Sequence, residues 1–431
     1  MYDQMTAIAI LLISFTVLLL LRFPVALTLV GSSLLTMIYI DRPLIVIGQQ
    51  MMTGSTEYGL LAIPFFILTG QILGEGGLAT RIVNFCLLLV GRIRGGLALV
   101  NSVACMFFGN LSGSAVADAS AIGSVMIPMM KSKGYDADYS VGVTISSAIQ
   151  GVVVPPSHNL VLYSIAVGGV SISSLFLAGI VPGFLLLGSL MTCGYIIAVK
   201  RGYQKADPVP RDQWGGIIMH GLFSLTPAIV ILGGIITGWC TPTEAGAIAV
   251  TYSFILAFLI YRERPISAMW PVLRRTFRTV LMVFFLIAAS NAFGYVMAVL
   301  DLPHVITEWF LAVSDKPWVI LLLINILLLA LGGPMDMAPM ILILSPILLP
   351  VCQTLGMDTI QFGIMMILNS GLGLLTPPVG TVLFVGCAIG KVSVEAGTKA
   401  MLPFFLAMCV ILVMITYIPA LSTWLPSLFN L

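Results

Sequence analysis

Charge is what this sequence has least of. Only 8% of its 431 residues are Asp, Glu, Lys or Arg, against about 25% in a soluble domain. Hydrophobic residues make up 59% of the chain and form runs, many of which reach the roughly 20 residues that cross a hydrocarbon core. The composition predicts an all-α polytopic membrane protein, and the continuous runs exclude the polar-apolar alternation of a β-barrel. The runs cover 5–21, 24–40, 59–74, 94–109, 159–199, 216–239, 245–261, 279–300, 317–332 and 401–420.

Residues that usually build catalytic or metal centres are few and dispersed. The three histidines, His158, His220 and His304, are far apart and show no HExxH or similar zinc-binding spacing. The seven cysteines lie singly within apolar runs and form no CxxC pair, which favours packing roles. Because no nucleophile-base pairing is visible, we do not predict an enzyme. The net charge of +2 gives no reason to expect nucleic-acid binding.

Basic residues are concentrated in two loops, 200–213 and 261–278. The positive-inside rule places both loops in the cytoplasm. Segments 215–238 and 243–261 are then predicted to cross outward and back, and the acidic loop at 301–309 falls outside.

A pair of consecutive prolines occurs twice, as Pro155-Pro156 and as Pro377-Pro378, 222 residues apart. Aligned at that offset without gaps, residues 128–171 and 350–393 share 11 identities in 44 positions, where roughly three are expected from the composition. The chain is therefore predicted to be an internal duplication.

The predicted duplication comprises a first repeat at 1–205, a cytoplasmic linker at 206–219 and a second repeat at 220–431. Internal duplication in a polytopic protein is typical of secondary transporters. Their binding sites lie near the bilayer midplane, at interrupted helices in corresponding positions of the two halves.

Each predicted repeat contains one interrupted region, at 107–171 and at 331–393. Each region begins with a break rich in small residues and ends at Gly-x-x-x-Pro-Pro, with two short helices and a polar turn between. We interpret each as a re-entrant helical hairpin or a broken-helix pair. Proline has no amide hydrogen, so carbonyls before the proline pairs lose their helical donors and need other partners inside the bilayer. Such oxygens suit Na⁺, while the N-terminus of the following half-helix suits an anionic substrate.

The candidate Na⁺ ligands fall into two sets, one in each repeat. For any one of these residues, an ordinary capped helix end is the alternative interpretation. The first set is Ser112, Ser114, Gly151, Val154 and Pro156, and the second is Gly332, Gly373, Thr376 and Val379.

Two acids lie inside the apolar breaks, Asp118 and Asp336. Close helix packing alone explains the small residues around Asp118, but not the acid itself. A carboxylate in a membrane segment costs several kcal/mol unless it is paired or hydrated, which indicates a role in substrate binding or coupling. At the offset of 222, Asp118 is aligned with Met340 and Asp336 with Ser114, so the two acids are not equivalent.

Five sequence blocks together resemble the large membrane subunit of tripartite ATP-independent periplasmic (TRAP) transporters, and the resemblance extends over nearly the whole chain. The family implies an elevator-type transporter with inverted repeats in a bacterial inner membrane. Such transporters use a Na⁺ gradient to import organic acids such as C4-dicarboxylates, sialic acid or related sugar acids. The blocks are "AIPFFILTGQIL" (62–73), "GNLSGSAVADASAIGSVMIPMMKSKGYD" (109–136), "SSAIQGVVVPPS" (146–157), "GPMDMAPMILILSPILLP" (333–350) and "NSGLGLLTPPVGT" (369–381).

The resemblance also implies two protein partners. One is a small four-helix membrane subunit, expected as a separate chain because residues 1–60 lack four additional helices. The other is a soluble periplasmic binding protein that delivers the substrate. In the family the Na⁺ sites lie at the break and proline regions, which supports both sets of candidate ligands, and its first break motif has an acid that Asp118 matches.

Three other functions stay open at this point. A stand-alone Na⁺-coupled dicarboxylate or citrate carrier has similar hairpins and no binding protein. An ion channel would usually repeat one pore by oligomerisation instead of duplicating within a chain. A membrane-embedded enzyme would need a catalytic constellation that the sequence lacks.

Overall fold

The computed structural model describes residues 3–56, 58–207, 209–377 and 379–429, and they are almost entirely helical. Within these ranges there is no β-strand, only an isolated antiparallel bridge between Arg94 and Lys205. Six helices are long and apolar enough to cross a membrane, or up to eight if two sharply bent helix pairs each count as one span. The prediction of an all-α polytopic membrane protein is therefore confirmed.

The helices before the basic loop at 200–213 include a hairpin, a broken helix and a long terminal helix. A 3-10 turn at Tyr58–Leu61 leads into α4. The helices are α1 (Gln4–Leu20), α2 (Val25–Tyr39), α3 (Ile45–Ser55), α4 (Ala62–Glu75), α5 (Leu78–Val90), α6 (Gly96–Ser112), α7 (Ala115–Ser132), α8 (Ala137–Val153), α9 (His158–Ala166) and α10 (Ile172–Lys200).

The helices after that loop begin with an apolar pair, α11 and α12. The later ones include a hairpin, a broken helix and a long helix in the same order as those before the loop. The second member of the pair, α12, extends as a π-helix over Ile255–Ile260. The helices are α11 (Trp214–Ile236), α12 (Pro242–Phe254), α13 (Met269–Val299), α14 (Leu302–Val313), α15 (Pro317–Gly332), α16 (Met337–Thr354), α17 (Thr359–Gly373), α18 (Thr381–Gly390), α19 (Val394–Tyr417) and α20 (Ala420–Leu428).

The helices α6 to α10 and α15 to α19 follow one another with matching lengths and spacing. The starting residues of α7 and α16 are Ala115 and Met337, and those of α8 and α17 are Ala137 and Thr359, in both cases 222 positions apart. This correspondence supports the predicted duplication, whose boundaries and inverted orientation stay predictions. Helix α11 begins at Trp214, inside the range predicted as linker.

Hydrogen bonds between buried polar side chains join the helices of each interrupted region. In the first, Asn101 of α6 donates to the Thr144 hydroxyl of α8 at 2.6 Å. In the second, Asn369 of α17 donates to the Asn325 side chain of α15 at 2.9 Å. Such bonds between membrane helices contribute about 0.6 kcal/mol each, so they specify register more than they supply stability.

Ion pairs join loops at the ends of the bundle. Arg81 pairs with Glu263, and Arg275 pairs with Glu75. The turn after α4 therefore lies on the same side as the basic loop at 261–278. Arg201 pairs with Asp136 at 2.8 Å, which places the α7–α8 turn beside the other basic loop.

Candidate functional site

The first break is a two-residue turn between α6 and α7, which pack against each other as a hairpin. Gly113 ends α6 with a φ of 60°, in the left-handed region that glycine favours. Ser114 then caps α7, and its hydroxyl accepts a hydrogen bond from the Ala117 amide at 3.3 Å. Asn159, just after the proline pair, donates to the Gly113 carbonyl at 2.8 Å. The hairpin tip and the first proline break are therefore in direct contact.

Helices α6 and α8 cross at Gly109 and Gly151. A Cβ atom placed on Gly151 would lie 2.5 Å from the Gly109 Cα, so the backbones approach more closely than side chains allow. The Asp118 carboxylate lies over this crossing, with one oxygen 2.8 Å from the position of a Cβ on Gly109. Asp118 is fully buried, and the Cys105 thiol lies close to its carboxylate. That thiol donates to the Asn101 side chain at 3.4 Å, and neither carboxylate oxygen has a hydrogen-bond partner of normal geometry among the described residues.

The second half repeats this crossing without the acid. Helices α15 and α17 meet at Gly332 and Gly373, where a Cβ on Gly373 would lie 2.5 Å from the Gly332 Cα. The Met340 sulfur lies 3.3 Å from the Cβ position of Gly332, in the place that Asp118 takes in the first half. Asp336 caps α16 and accepts from the Met337 amide at 2.8 Å, as Ser114 caps α7.

The carbonyls that precede the two proline pairs differ in their hydrogen-bond donors. In the first, the helical donors for the Gly151 and Val152 carbonyls would be positions 155 and 156, which are proline. In the second, backbone amides replace the missing donors. The Gly373 carbonyl accepts from the Thr376 amide at 2.9 Å and the Leu374 carbonyl from the Val382 amide at 3.2 Å. The Thr376 carbonyl keeps its ordinary helical donor, the Gly380 amide, at 3.1 Å.

The sequence predicts unpaired oxygens at both proline pairs, and the second break differs from that prediction. A carbonyl with one partner keeps a second lone pair. The oxygens of the second break can therefore still bind a cation. Because each already accepts a hydrogen bond, its need for a further partner inside the bilayer is smaller.

A cavity of about 310 Å³ lies where the two halves meet. Three helix N-termini face it, those of α7, α9 and α16, and residues of α4 and α13 close the remaining wall. The partial positive charge and free amides of a helix N-terminus attract anions. The polar lining residues are Gln71, Ser112, Ser114, His158, Asn159, Thr279 and Asp336.

The electrostatics of this cavity come from the backbone more than from charged side chains. No lysine or arginine is among its lining residues in the part of the chain that the structure describes. Asp336 is its acidic side chain, and one oxygen of that carboxylate is used in capping α16. The His158 Nδ1 is buried without a hydrogen-bond partner among the described residues. The cavity thus offers backbone amides, hydroxyls, two carboxamides and an imidazole to an anionic guest.

Among the predicted residues, Ser112, Ser114 and Asp336 come together at this cavity. Gly151 lies at the first glycine crossing under Asp118, which is not among the cavity-lining residues. Val154 packs against Gly183 of α10, and Pro156 is buried within the first break.

The predicted Na⁺ ligands of the second repeat lie around the crossing of α15 and α17, with the exception of Val379. Gly332 and Gly373 are in backbone contact, and a Cβ on the neighbouring Gly333 would lie 3.8 Å from the Thr376 carbonyl. Val379, in contrast, follows the second proline pair in the chain and is 43% exposed.

The sequence patterns did not mark four of the cavity residues, His158, Asn159, Gln71 and Thr279, as site residues. His158 and Asn159 follow the first proline pair after one serine, so a search for polar residues at the start of the next half-helix would have found them. Gln71 and Thr279 reach the cavity from α4 and α13, and no local pattern marks them.

A polytopic helical bundle with two interrupted regions around a central cavity defines the membrane component of a secondary transporter. The chain belongs to the DctM component family of tripartite ATP-independent periplasmic transporters, whose family model matches residues 12–421. This confirms the resemblance found in the sequence.

Individual members of the family match this chain over most or all of their length. The chain is 43% identical to the uncharacterized protein YgiK of Salmonella typhimurium, with 99% of each chain covered. It is 38% identical to the sialic acid TRAP transporter large permease protein SiaM of Vibrio cholerae, with 89% of each covered. Its identity to the C4-dicarboxylate large permease protein DctM of Pseudomonas aeruginosa is 39%, covering 86% of this chain and 87% of that protein.

A solved structure shares the fold at low sequence identity. The Alcanivorax borkumensis YdaH transporter is similar with a TM-score of 0.62 and 14% identity, over 88% of each chain. At that identity the likeness supports the fold alone.

Proposed function

We propose that the protein imports an organic acid across the bacterial inner membrane, coupled to Na⁺ entry, after a periplasmic binding protein has delivered the substrate. The observation that carries the proposal is the convergence of three helix N-termini, those of α7, α9 and α16, on one cavity. These termini present backbone donors to an anion inside the bundle.

The substrate class follows from the cavity and from the relatives. The named relatives include permeases for sialic acid, C4-dicarboxylate and 2,3-diketo-L-gulonate, all of which are acids. A carboxylate would receive hydrogen bonds from the α7 and α16 amides and from the side chains of Ser114 and Asn159. A cavity of about 310 Å³ is at the small end of the range for ligand pockets, which suits a small organic acid.

Na⁺ is proposed to bind at the two glycine crossings and their neighbouring breaks. Hard oxygen ligands from carbonyls, hydroxyls and carboxylates suit such a cation. The Gly151 carbonyl and the Ser112 hydroxyl would serve in the first half, and the Gly373 and Thr376 oxygens in the second. Asp118, whose carboxylate has no partner among the described residues, would couple ion binding to the packing of α6, α7 and α8.

An elevator movement is supported by two cavities on one face of α13. Thr279 and Val283 line the central cavity, while Ile287, Ser290 and Gly294 line a second cavity of about 300 Å³. Spacings of three and four residues place these five positions on a single stripe. From Val283 to Gly294 the helix rises about 16 Å. A shift of that order along α13 would carry the site of α7, α9 and α16 from one cavity to the other.

The proposed partners are those that the family implies, a small membrane subunit and a soluble binding protein. Their participation separates this proposal from a stand-alone Na⁺-coupled carrier, which would transport free substrate without them. The chain would work as the large permease within a multi-pass assembly of the inner membrane.

The test is uptake into proteoliposomes that contain this chain with its small subunit. A thermal-shift screen of the cognate binding protein against organic acids first identifies the substrate. Uptake should then require an inward Na⁺ gradient together with the loaded binding protein. Uptake of free substrate at the same rate without the binding protein would favour the stand-alone carrier, and uptake unaffected by Na⁺ would refute the coupling.

A further inference from the structure

A third cavity lies at the membrane face that the positive-inside rule assigns to the cytoplasm. It measures about 530 Å³ and is lined by Arg94, Val199, Gly202, Tyr203, Gln204 and Lys205. Its two cations come from segments far apart in sequence, the α5–α6 turn and the loop after α10.

The two cationic residues are held opposite each other by the backbone. Arg94 and Lys205 form an antiparallel bridge, and next to it the Ala206 amide donates to the Gly91 carbonyl at 3.2 Å. Residues paired in this way have Cβ atoms about 5 Å apart, and like charges directly opposite are destabilising. The arrangement therefore favours a counter-anion between them.

Three acids of the adjoining loops pair with other cations. Asp207 pairs with Lys133, and Asp136 and Asp138 both pair with Arg201. Among the described residues, the ion pairs within 4.0 Å include neither Arg94 nor Lys205. By contrast, Arg264 and Arg275 of the other basic loop share Glu75. Arg94 and Lys205 therefore both carry a charge at this cavity that no ion pair within 4.0 Å among the described residues compensates.

Apolar side chains lie exposed beside the cavity. Ile93 is adjacent to Arg94 and is 44% exposed, and Ile196 and Val199 in the last turns of α10 are 47% and 40% exposed. A group that combines a phosphate with acyl chains would cover both features, because basic pockets at the ends of membrane helices bind anionic headgroups.

We propose that this cavity is a phosphate-binding site, in which Arg94 and Lys205 bind the phosphate of an anionic phospholipid headgroup. The exposed apolar residues favour the lipid over free inorganic phosphate, which has the same charged chemistry. The site is independent of the transport cavity and does not depend on the proposed function.

The experiment measures thermal stability of the purified chain in a neutral detergent while phosphatidylglycerol, phosphatidylcholine or inorganic phosphate is titrated. Phosphatidylglycerol should raise the Tm of the wild type with a saturable midpoint, and phosphatidylcholine should not. The double variant R94Q/K205Q should need about 30-fold more phosphatidylglycerol, because each cation near an anionic lipid contributes about fivefold.

The matched control is R274Q/R278Q, which removes two exposed cations from the other basic loop and should bind phosphatidylglycerol as the wild type does. The single variant R94Q removes one cation and should need about fivefold more phosphatidylglycerol, so it serves if the double variant fails to fold. Stabilisation by inorganic phosphate that is lost in R94Q/K205Q would support the site with free phosphate as its ligand. An equal lipid response in R94Q/K205Q and the wild type, or an equal loss in the control, would overturn the proposal.

Discussion

Asp118 and Met340 occupy the same position in the two halves of the protein. Each lies one turn into the helix that follows a break, over a crossing of two glycines, Gly109 with Gly151 and Gly332 with Gly373. The methionine fills that position with an apolar side chain, whereas the aspartate places there a buried carboxylate without a partner among the described residues. The two halves therefore share one backbone arrangement but differ at this position in their capacity to hold charge.

Asp118→Asn removes the charge at nearly constant shape. We expect Na⁺-driven uptake to be lost while the protein stays folded, because the amide cannot supply the negative charge that a cation needs at this crossing. Uptake into proteoliposomes and Tm in detergent measure the two effects. Asp315→Asn, at an exposed loop acid, should change neither quantity. Wild-type uptake in Asp118→Asn would remove the acid from the coupling mechanism.

Gly151→Ala should weaken the crossing of α6 and α8. The added Cβ would lie 2.5 Å from the Gly109 Cα and 2.9 Å from its carbonyl carbon, so backbone must move to accept it. We expect a loss of about 1–3 kcal/mol, typical of overpacking, seen as a lower Tm. Gly188→Ala on α10, where a Cβ would meet nothing within 4 Å, should instead stabilise the protein by about 0.5–1 kcal/mol. Equal effects of the two substitutions would contradict the close crossing.

The sequence was sufficient to locate the breaks, because glycine, serine and proline have strong local preferences. The structure has breaks at Gly113, after Val153 and after Gly332, as those residues indicate. The sequence also aligned Asp118 with Met340, and each of these side chains lies over the glycine crossing of its own half. The breaks depend on residues that are neighbours in the chain, and the alignment depends on an internal repeat. A single sequence contains the information for both.

The glycine partners and the cavity walls could not be predicted in the same way. Gly109 and Gly151 are on different helices, and Thr279 reaches the cavity from α13. Which residues meet depends on how helices cross, and single-sequence patterns do not encode that. The replacement hydrogen-bond donors of the carbonyls in the second break likewise depend on the path of the backbone around Thr376.

The turn between α7 and α8 should show a specific pH dependence. The Tyr203 hydroxyl, which donates at 2.6 Å, and the Arg201 guanidinium at 2.8 Å lower the pKa of the Asp136 carboxyl from its ordinary value of 3.8. Because the folded pKa lies below the unfolded one, this stabilisation is complete above about pH 4 and is lost as the pH falls through the folded pKa.

Asp136→Asn should therefore lower stability at pH 7, by at most about 1 kcal/mol because the side chain is 58% exposed. The difference in Tm from the wild type should shrink as the pH is lowered toward 3. Tyr203→Phe, which removes the donor with the largest influence on that pKa, should reproduce part of the effect. A difference in Tm that stays constant with pH would show that the carboxylate contributes only through packing.

Thr376→Val tests the second proposed Na⁺ site. The Thr376 hydroxyl donates to the Leu372 carbonyl at 3.2 Å and keeps its lone pairs free for a cation. Loss of an oxygen bound to a charged group should raise the Na⁺ concentration for half-maximal uptake about tenfold or more, and Thr376→Ser should restore the wild-type response. Thr251→Val is the matched control, since that exposed threonine donates to the Ala247 carbonyl in the same way. An unchanged Na⁺ response in Thr376→Val would argue against this site.

The elevator proposal predicts two alternative contacts for one residue at the start of α16. Ala338 lines the central cavity together with Val283 of α13, so cysteines at these two positions should be cross-linked by a short bifunctional reagent in the conformation described here. Gly294 lies about 16 Å further along the same face of α13 and lines the second cavity. A cysteine pair at 338 and 294 should be cross-linked only in the alternative conformation, in a fraction that changes with Na⁺ and substrate. Efficient cross-linking of 338 to 283 under all conditions, with none of 338 to 294, would mean that the site does not travel along α13. Transport would then have to proceed by gating around a fixed cavity.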